Sequence, residues 1–213
     1  MSRQRRASEQ AIHDALVYPG TEIWRNKLDI REQAALDSAE AHIMAVRSLT
    51  RPIFKAFTLK EMQALHKHLL SDLYEWAGTL RQYTTGRSAA SFARPEYIES
   101  YFASAVERPL QREGYLRELA KEDFAARAAH FVNEANAVHP FADGNGRVTR
   151  FFLADLAQQA GWPFSIARIE ADKGAWYAAA KLGFEHDDTS LFTRCILRGM
   201  DTGQGGFCRT PPT

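Results

Sequence analysis

The chain has 213 residues and a mass of 24.0 kDa, the size of a single domain that can bury a core without disulfide or metal staples. Lys and Arg number 27 against 26 Asp and Glu, a balance that argues against a polybasic nucleic-acid or membrane binder. Within it, 20 arginines outnumber 7 lysines, and Arg is the fork-shaped donor suited to carboxylates and phosphates. The polar start, with Arg3, Arg5 and Arg6, is followed by no apolar run, so no secretory leader is expected. No stretch of about 18 apolar residues suggests a membrane span, and a cytoplasmic location is expected. Cys195 and Cys208 have no second pair and make neither a zinc site nor a disulfide framework. Cys195, inside the apolar run Leu191 to Leu197, reads as a core residue.

In chain order, residues 1–14 read as a flexible N-terminal segment, 15–200 as the domain and 201–213 as a flexible tail rich in Gly and Pro. Arg31 to Leu49 carries a 3.6-residue apolar stripe through Leu36, Ile43 and Val46. Thr58 to Tyr74 opens with Thr58 and Glu61 three apart, a capping box, and Gly78 ends it. Thr79 to Phe92 departs from the helical period, and its Leu80, Tyr83, Thr84 and Thr85 followed by Gly86 predict a short β-hairpin. Further helices are predicted at Tyr97 to Leu110, Phe124 to Val138, Val148 to Ala160, Asp172 to Leu182 and Thr189 to Arg198. The expected fold is all-α, a helical bundle with a small β-hairpin flap.

Chemistry concentrates in the run His139-Pro140-Phe141-Ala142-Asp143-Gly144-Asn145-Gly146-Arg147-Val148-Thr149-Arg150. Gly144, Asn145 and Gly146 permit a loop with positive φ. Arg147 and Arg150, three apart, share one face of the helix that follows. Cations in a first helical turn oppose the macrodipole, and unpaired backbone N–H groups collect there as well. The combination makes sense when a phosphate-bearing anion binds between loop and arginines. Asp143 supplies a carboxylate beside that anion, a place for Mg²⁺ bridging to phosphate oxygens. His139 stands at the mouth of the loop as the candidate general base.

The run matches at every defined position the motif of the Fic family, His-Pro-Phe-x-(Asp/Glu)-Gly-Asn-Gly-Arg-x-x-Arg, and so resembles that family. The resemblance extends over about residues 15 to 200. Tyr74-Glu75-Trp76-Ala77-Gly78 resembles the helix end before the family's flap, and Ser91-Phe92-Ala93 with Tyr97-Ile98 the flap exit. Tyr18-Pro19-Gly20 with Asn26-Lys27-Leu28 resembles the opening of bacterial Fic toxins. The resemblance implies transfer of AMP from ATP to a Tyr, Thr or Ser hydroxyl of a target protein. His139 would deprotonate that hydroxyl, and Asp143 would bind Mg²⁺. Gly144, Asn145 and Gly146 would form the anion hole. Arg147 would hold the β-phosphate region and Arg150 the γ-phosphate, with Phe141 anchoring the loop. The Thr79 to Phe92 flap would register a target segment by strand addition through Thr84 and Thr85, with Phe92 clamping the target residue. Trp176, Tyr177 and Lys181 are candidates for bordering the adenosine.

Fic enzymes are commonly restrained by a helix with the pattern (Ser/Thr)-x-x-x-Glu-(Gly/Asn), whose Glu pairs with the second motif arginine. Only Ser71 has a Glu four residues later, and Trp76 follows that Glu75. The expectation is therefore a toxin restrained by a separate small antitoxin. Its target, by analogy with such toxins, would be an ATPase subunit of a type II topoisomerase, with no direct nucleic-acid binding. Two alternatives remain at this stage: transfer of another nucleotide or of phosphate on the same fold, and a non-catalytic binding module. The intact Gly-Asn-Gly weighs against phosphate transfer, and the intact His139 against an idle module.

Overall fold

The computed structural model describes residues 3–87 and 90–201. In chain order its helices are α1 (Arg3–Leu16), α2 (Gln33–Ser48), α3 (Leu59–Leu70), α4 (Ile98–Phe102), α5 (Arg108–Arg112), α6 (Lys121–Val138), α7 (Asn145–Gln159), α8 (Ile166–Glu170), α9 (Lys173–His186) and α10 (Ser190–Met200). The strands β1 (Gly86–Arg87) and β2 (Ala90–Ser91) pair antiparallel, Gly86 opposite Ser91 and Arg87 opposite Ala90. The hairpin is thus shorter than the predicted Thr79 to Phe92: pairing ends at the Thr85 carbonyl, which accepts from the Phe92 N–H at 3.0 Å, and the chain before it is drawn onto the helical body by Arg81.

α6 is the central element. Its Phe124, Ala125, Ala128, Ala129, Phe131, Val132 and Ala135 are all buried, and small residues on several faces let α4, α7, α9 and α10 pack around it. α3 starts as its sequence dictates. The Thr58 hydroxyl accepts from the Glu61 N–H at 3.2 Å, and the Glu61 carboxylate accepts from the Thr58 N–H at 3.0 Å. This reciprocal cap satisfies two donors that a helix start otherwise leaves open. Phe54, Phe57 and Phe152 pack within 5.7 Å of one another beside it. Above them Arg51 forks onto the buried Asp155 at 2.8 and 2.6 Å, and Asp155 also accepts from the Phe54 N–H at 2.9 Å. Cys195 is buried, and Cys208 lies outside the described residues.

Besides the hairpin, three elements differ from the sequence expectation. Residues placed in a flexible N-terminal segment form α1, which is held by tertiary contacts. Glu9 accepts from the Thr84 N–H at 2.8 Å, and the His13 ring packs edge-on against Trp24 and Tyr83. The single helix predicted over Tyr97 to Leu110 is two, α4 and α5, joined by a wide turn at Ala103–Glu107 in which the Arg108 N–H reaches back to the Ala103 carbonyl. Pro109 explains this: it has no N–H, and its ring cannot tolerate a normal α-turn behind it. α8, of five residues, is too short to show a period. The expected tail beyond Asp201 lies outside the described residues. Among those described, no helix is long and apolar enough to cross a membrane.

Candidate active site

The loop between α6 and α7 is fixed from four directions. His139 caps α6 in the left-handed region, φ 47° and ψ 63°, which costs a residue with a Cβ about 1–2 kcal/mol. Three contacts hold it there. Its N–H donates to the Ala135 carbonyl at 3.2 Å, its carbonyl accepts from Arg81 Nε at 2.6 Å, and its ring stacks on Phe92 at 3.9 Å and 5°. Arg81 is 3% exposed. Its guanidinium also donates to the carbonyls of Tyr83 (2.8 Å), Val138 (3.1 Å) and Ala93, and its own N–H to Pro140 (2.9 Å). One side chain therefore ties the end of α6 to both arms of the flap. Burial lowers Arg81 to about 10, leaving it charged at neutral pH.

Asn145 closes the loop on itself. Its Oδ1 accepts from the Phe141 N–H and its Nδ2 donates to the Phe141 carbonyl, both at 2.9 Å. The Phe141 ring stacks on His66 at 4.0 Å. His66 is fully buried. Its Nδ1 accepts from the Gly78 N–H at 2.7 Å, so Nε2 carries the hydrogen and donates to the Asp143 carbonyl at 2.9 Å. Burial pushes His66 down to about 4, which agrees with this neutral tautomer. Gly144, at φ 79°, leaves no room for a Cβ: one would stand 2.9 Å from Leu70 Cδ1 and 3.1 Å from His66 Nε2.

α7 begins at Gly144 with no side-chain cap. The Gly144 N–H donates to Asp143 Oδ1 at 2.6 Å, whereas the N–H groups of Asn145 and Gly146 have no acceptor among the described residues. A helix start of this kind offers donors and a positive dipole end to an anion. Two arginines face the same turn, and both already meet carboxylates. Arg147 pairs with Glu40 of α2 and, at 3.1 Å, with Asp143 Oδ2. Glu40 in turn accepts from the Tyr74 hydroxyl at 2.6 Å. Arg150 Nε donates to Glu170 Oε1 of α8 at 3.1 Å. Burial lowers both arginines, Arg147 to about 10 with a further contribution from the Arg150 charge. Burial raises Asp143, against the stabilising Gly144 N–H, and Asp37 raises it further.

Two clefts meet at these groups. One of about 540 Å³ runs between α2, α7 and α8 past Glu40, Met44, Arg147 and Phe151. The other, about 350 Å³, is walled by His139, Gly146, Ile169, Trp176 and Tyr177. Arg150 and Glu170 line both. The structure thus brings His139, Asp143, Asn145, Gly146, Arg147 and Arg150 together as the sequence predicts, with Trp176 and Tyr177 beside them. Lys181 is exposed and lines neither cleft. Of the three flap residues, Phe92 alone reaches the site. Thr84 and Thr85 precede β1, line neither cleft and serve the flap backbone, Thr84 through Glu9 and Thr85 by accepting from the Phe92 N–H at 3.0 Å. Sequence reasoning missed His66, Arg81, Glu40 and Glu170. None lies in a motif, and each reaches the loop from a distant element.

The geometry finds counterparts in known proteins. A profile of the Fic/DOC family matches residues 56–157. The "Probable protein adenylyltransferase Fic" of Escherichia coli (strain K12) is 36% identical over 181 residues, covering 84% of this chain and 88% of that protein. The "Protein adenylyltransferase VbhT" of Bartonella schoenbuchensis is 37% identical over 194 residues; the match covers 90% of this chain but 40% of that longer protein. Among solved structures, BepC of Bartonella tribocorum with bound AMPPNP shares the fold, with a TM-score of 0.79 at 22% identity, over 87% of this chain and 96% of that one. With its motif loop seated between α6 and α7 and relatives of this identity along most of its length, the chain belongs to the Fic/DOC family.

Proposed function

We propose that this chain transfers AMP from ATP to a Tyr, Thr or Ser hydroxyl of another protein. The observation that carries this is the meeting, at one helix start, of two N–H groups without an acceptor among the described residues (Asn145 and Gly146), two arginines and His139. The printed names of the relatives, protein adenylyltransferases, support the same reading. In it the polyphosphate lies over the first turn of α7, with Arg147 and Arg150 on its β- and γ-phosphates, and the adenosine occupies the cleft of Trp176 and Tyr177. His139 accepts the proton of the target hydroxyl as that oxygen bonds to the α-phosphorus and pyrophosphate leaves. The side chain of Asn145 is committed to Phe141, so its contribution to the anion hole is its backbone N–H. Catalysis is then mainly positioning and charge stabilisation.

Asp143 suits a cation that arrives with the nucleotide. It is a single, partly exposed carboxylate at the loop, and among the described residues no group of three or more His, Cys, Asp or Glu could cage a metal. Mg²⁺ is ordinarily held by one or two carboxylates plus phosphate oxygens, and it would neutralise charge on the phosphates.

The reading includes a toxin held by a separate antitoxin, because no (Ser/Thr)-x-x-x-Glu-(Gly/Asn) pattern occurs in the sequence. The topoisomerase ATPase subunit remains the proposed target. The test is incubation of the purified chain with ATP, Mg²⁺ and bacterial lysate. Label from the α-phosphate of ATP should appear on a protein and vanish with His139→Ala. Label from the γ-phosphate instead would overturn AMP transfer in favour of phosphorylation, and none from either would overturn transfer altogether.

A further inference from the structure

The segment Tyr74 to Gly78, which leads from α3 to the flap, meets the site by a route that the roles above do not use. Tyr74 is 1% exposed. Its N–H donates to the Leu70 carbonyl at 2.9 Å, and its ring stacks on Trp76 at 4.4 Å and 15°. The direction of its hydroxyl is therefore set, and it donates to Glu40 Oε2 at 2.6 Å. Glu40 lies one helical turn after the buried Leu36, so α2 turns it inward. Its Oε1 meets Nη1 of Arg147. Each oxygen of this carboxylate thus has its own partner, as a charge taken largely out of water requires.

Arg147 divides its two terminal nitrogens between two carboxylates: Nη1 to Glu40, and Nη2 to Asp143 Oδ2 at 3.1 Å. The two anions differ in freedom. The Glu40 side chain is 14% exposed, sits within a regular helix and is anchored by Tyr74; that of Asp143 is 45% exposed and stands on the loop. The first contact is fixed and the second can be exchanged. Arg147 needs such a hold, because the dipole of α7 and the charge of Arg150 both oppose a cation there. Among the described residues no third carboxylate meets it at ion-pair distance.

We propose that Glu40 is a positioning residue: anchored by Tyr74, it holds Nη1 of Arg147 while Nη2 passes from Asp143 to a phosphate oxygen of the bound nucleotide. The inference rests on the proposed transfer reaction and assigns to it a residue outside the motif. The exchange also leaves Asp143 Oδ2 free for the cation that accompanies the nucleotide. In AMP transfer, negative charge grows on the leaving pyrophosphate as its bond to the α-phosphorus breaks. A guanidinium fixed in advance against that charge acts most strongly in the transition state. Glu40 is itself an anion beside the polyphosphate, so removing its charge does not weaken nucleotide binding; what is lost is the aim of Arg147. The expected signature is a fall in rate without a fall in affinity, unlike that of a carboxylate that merely competes for an arginine.

The experiment uses the full chain. AMP transfer to lysate proteins is timed at saturating ATP with Mg²⁺, and AMPPNP binding is measured by calorimetry. The guanidinium of Arg147 is followed by nuclear magnetic resonance, its signal assigned with Arg147→Lys. Glu40→Gln keeps the shape and an acceptor for Tyr74 but loses the charge. It should slow transfer about tenfold or more and bind AMPPNP at least as tightly as the wild type. It should also replace a resolved, slowly rotating guanidinium signal by that of a mobile side chain. Tyr74→Phe, which removes only the hydroxyl, should slow transfer about fivefold and serves where Glu40→Gln folds poorly. The double variant should be no more than about twofold slower than Glu40→Gln, because Tyr74 acts through Glu40. Four outcomes overturn the proposal: an unchanged rate in folded Glu40→Gln, AMPPNP binding weakened as much as the rate, an Arg147 signal that stays resolved in that variant, or losses that multiply in the double variant. Absence of AMP transfer by the wild type overturns the proposed reaction, and leaves the hold on Arg147 standing when AMPPNP binding and the guanidinium signal behave as stated.

Discussion

Arg150 of α7 and Glu170 of α8 form an ion pair, Nε to Oε1 at 3.1 Å, at the place where the two clefts join. The pair changes what the arginines mean. From the sequence, two cations in a first helical turn call for an anion, and the protein already supplies one to each: Glu170 to Arg150, and Glu40 to Arg147. Glu170 stands five residues after Ser165, so a search for Ser or Thr with Glu four residues later passes over it. A bound polyphosphate has to share Arg150 with this carboxylate or displace it. Glu170 is nearly half exposed, so the pair is a modest one. Glu170→Gln should therefore lower KM for ATP about two- to fivefold, with little change in kcat. An unchanged or raised KM would show that Glu170 does not compete with the nucleotide.

Asn145 is a staple before it is anything else. Its two bonds to Phe141 are buried, and losing both strands an N–H and a carbonyl, at about 1–3 kcal/mol for each unsatisfied group. Asn145→Ala should thus speed amide exchange at Phe141 by at least about tenfold and lower kcat more than it raises KM, because the misplaced groups are the ones proposed to meet the transition state. Wild-type exchange in the variant would show that the loop is held by the Phe141 ring alone.

His66 makes the fold sensitive to acid. Its folded-state value of about 4 lies below the ordinary 6.5, so between those pH values the unfolded chain binds more protons than the folded one. Stability is present in full above pH 6.5 and is lost as the pH falls toward 4, by about 3 kcal/mol for this group. Denaturant unfolding at pH 7.5 and pH 4.5 should show that loss on top of the contributions of other groups. It should shrink in His66→Gln, which cannot be protonated. An identical pH dependence in both proteins would exclude His66 as the source.

The loop was legible because its information is local. The glycines, the proline after His139 and the two arginines act on their own backbone, and the Thr58–Glu61 cap is readable for the same reason. The residues that hold the loop in place were not. His66, Arg81, Glu40 and Glu170 act on the loop and its helix over 20 to 107 residues of chain, and nothing near each in sequence tells a buried clamp from a surface charge. α1 shows the same limit, since what fixes it is Glu9 on Thr84 and His13 on Tyr83. Pro109 is the reverse case. Its signal was local and present, and it locates the wide turn where the stripe from Tyr97 to Leu110 suggested one unbroken helix.

Arg81 gives the sharpest separation of shape from charge. Four carbonyls converge on its guanidinium: Val138 and His139 at the end of α6, and Tyr83 and Ala93 on the two arms of the flap. A cation suits a helix C-terminus, so Arg81→Lys keeps the favourable charge. What it loses is the fork: an ammonium has three donors on one atom and cannot reach carbonyls spread around a plane. Arg81→Lys should cost about 1–3 kcal/mol, and Arg81→Ala more, since it removes both charge and donors. If the guanidinium positions His139 against Phe92, Arg81→Lys should also reduce kcat by about tenfold or more while KM for ATP stays near the wild-type value. Limited proteolysis should find residues 82–92 cut faster in this variant, because the flap has lost its tie to α6. Full activity in a folded Arg81→Lys protein would mean that charge alone holds His139, and that the plane of donors is dispensable.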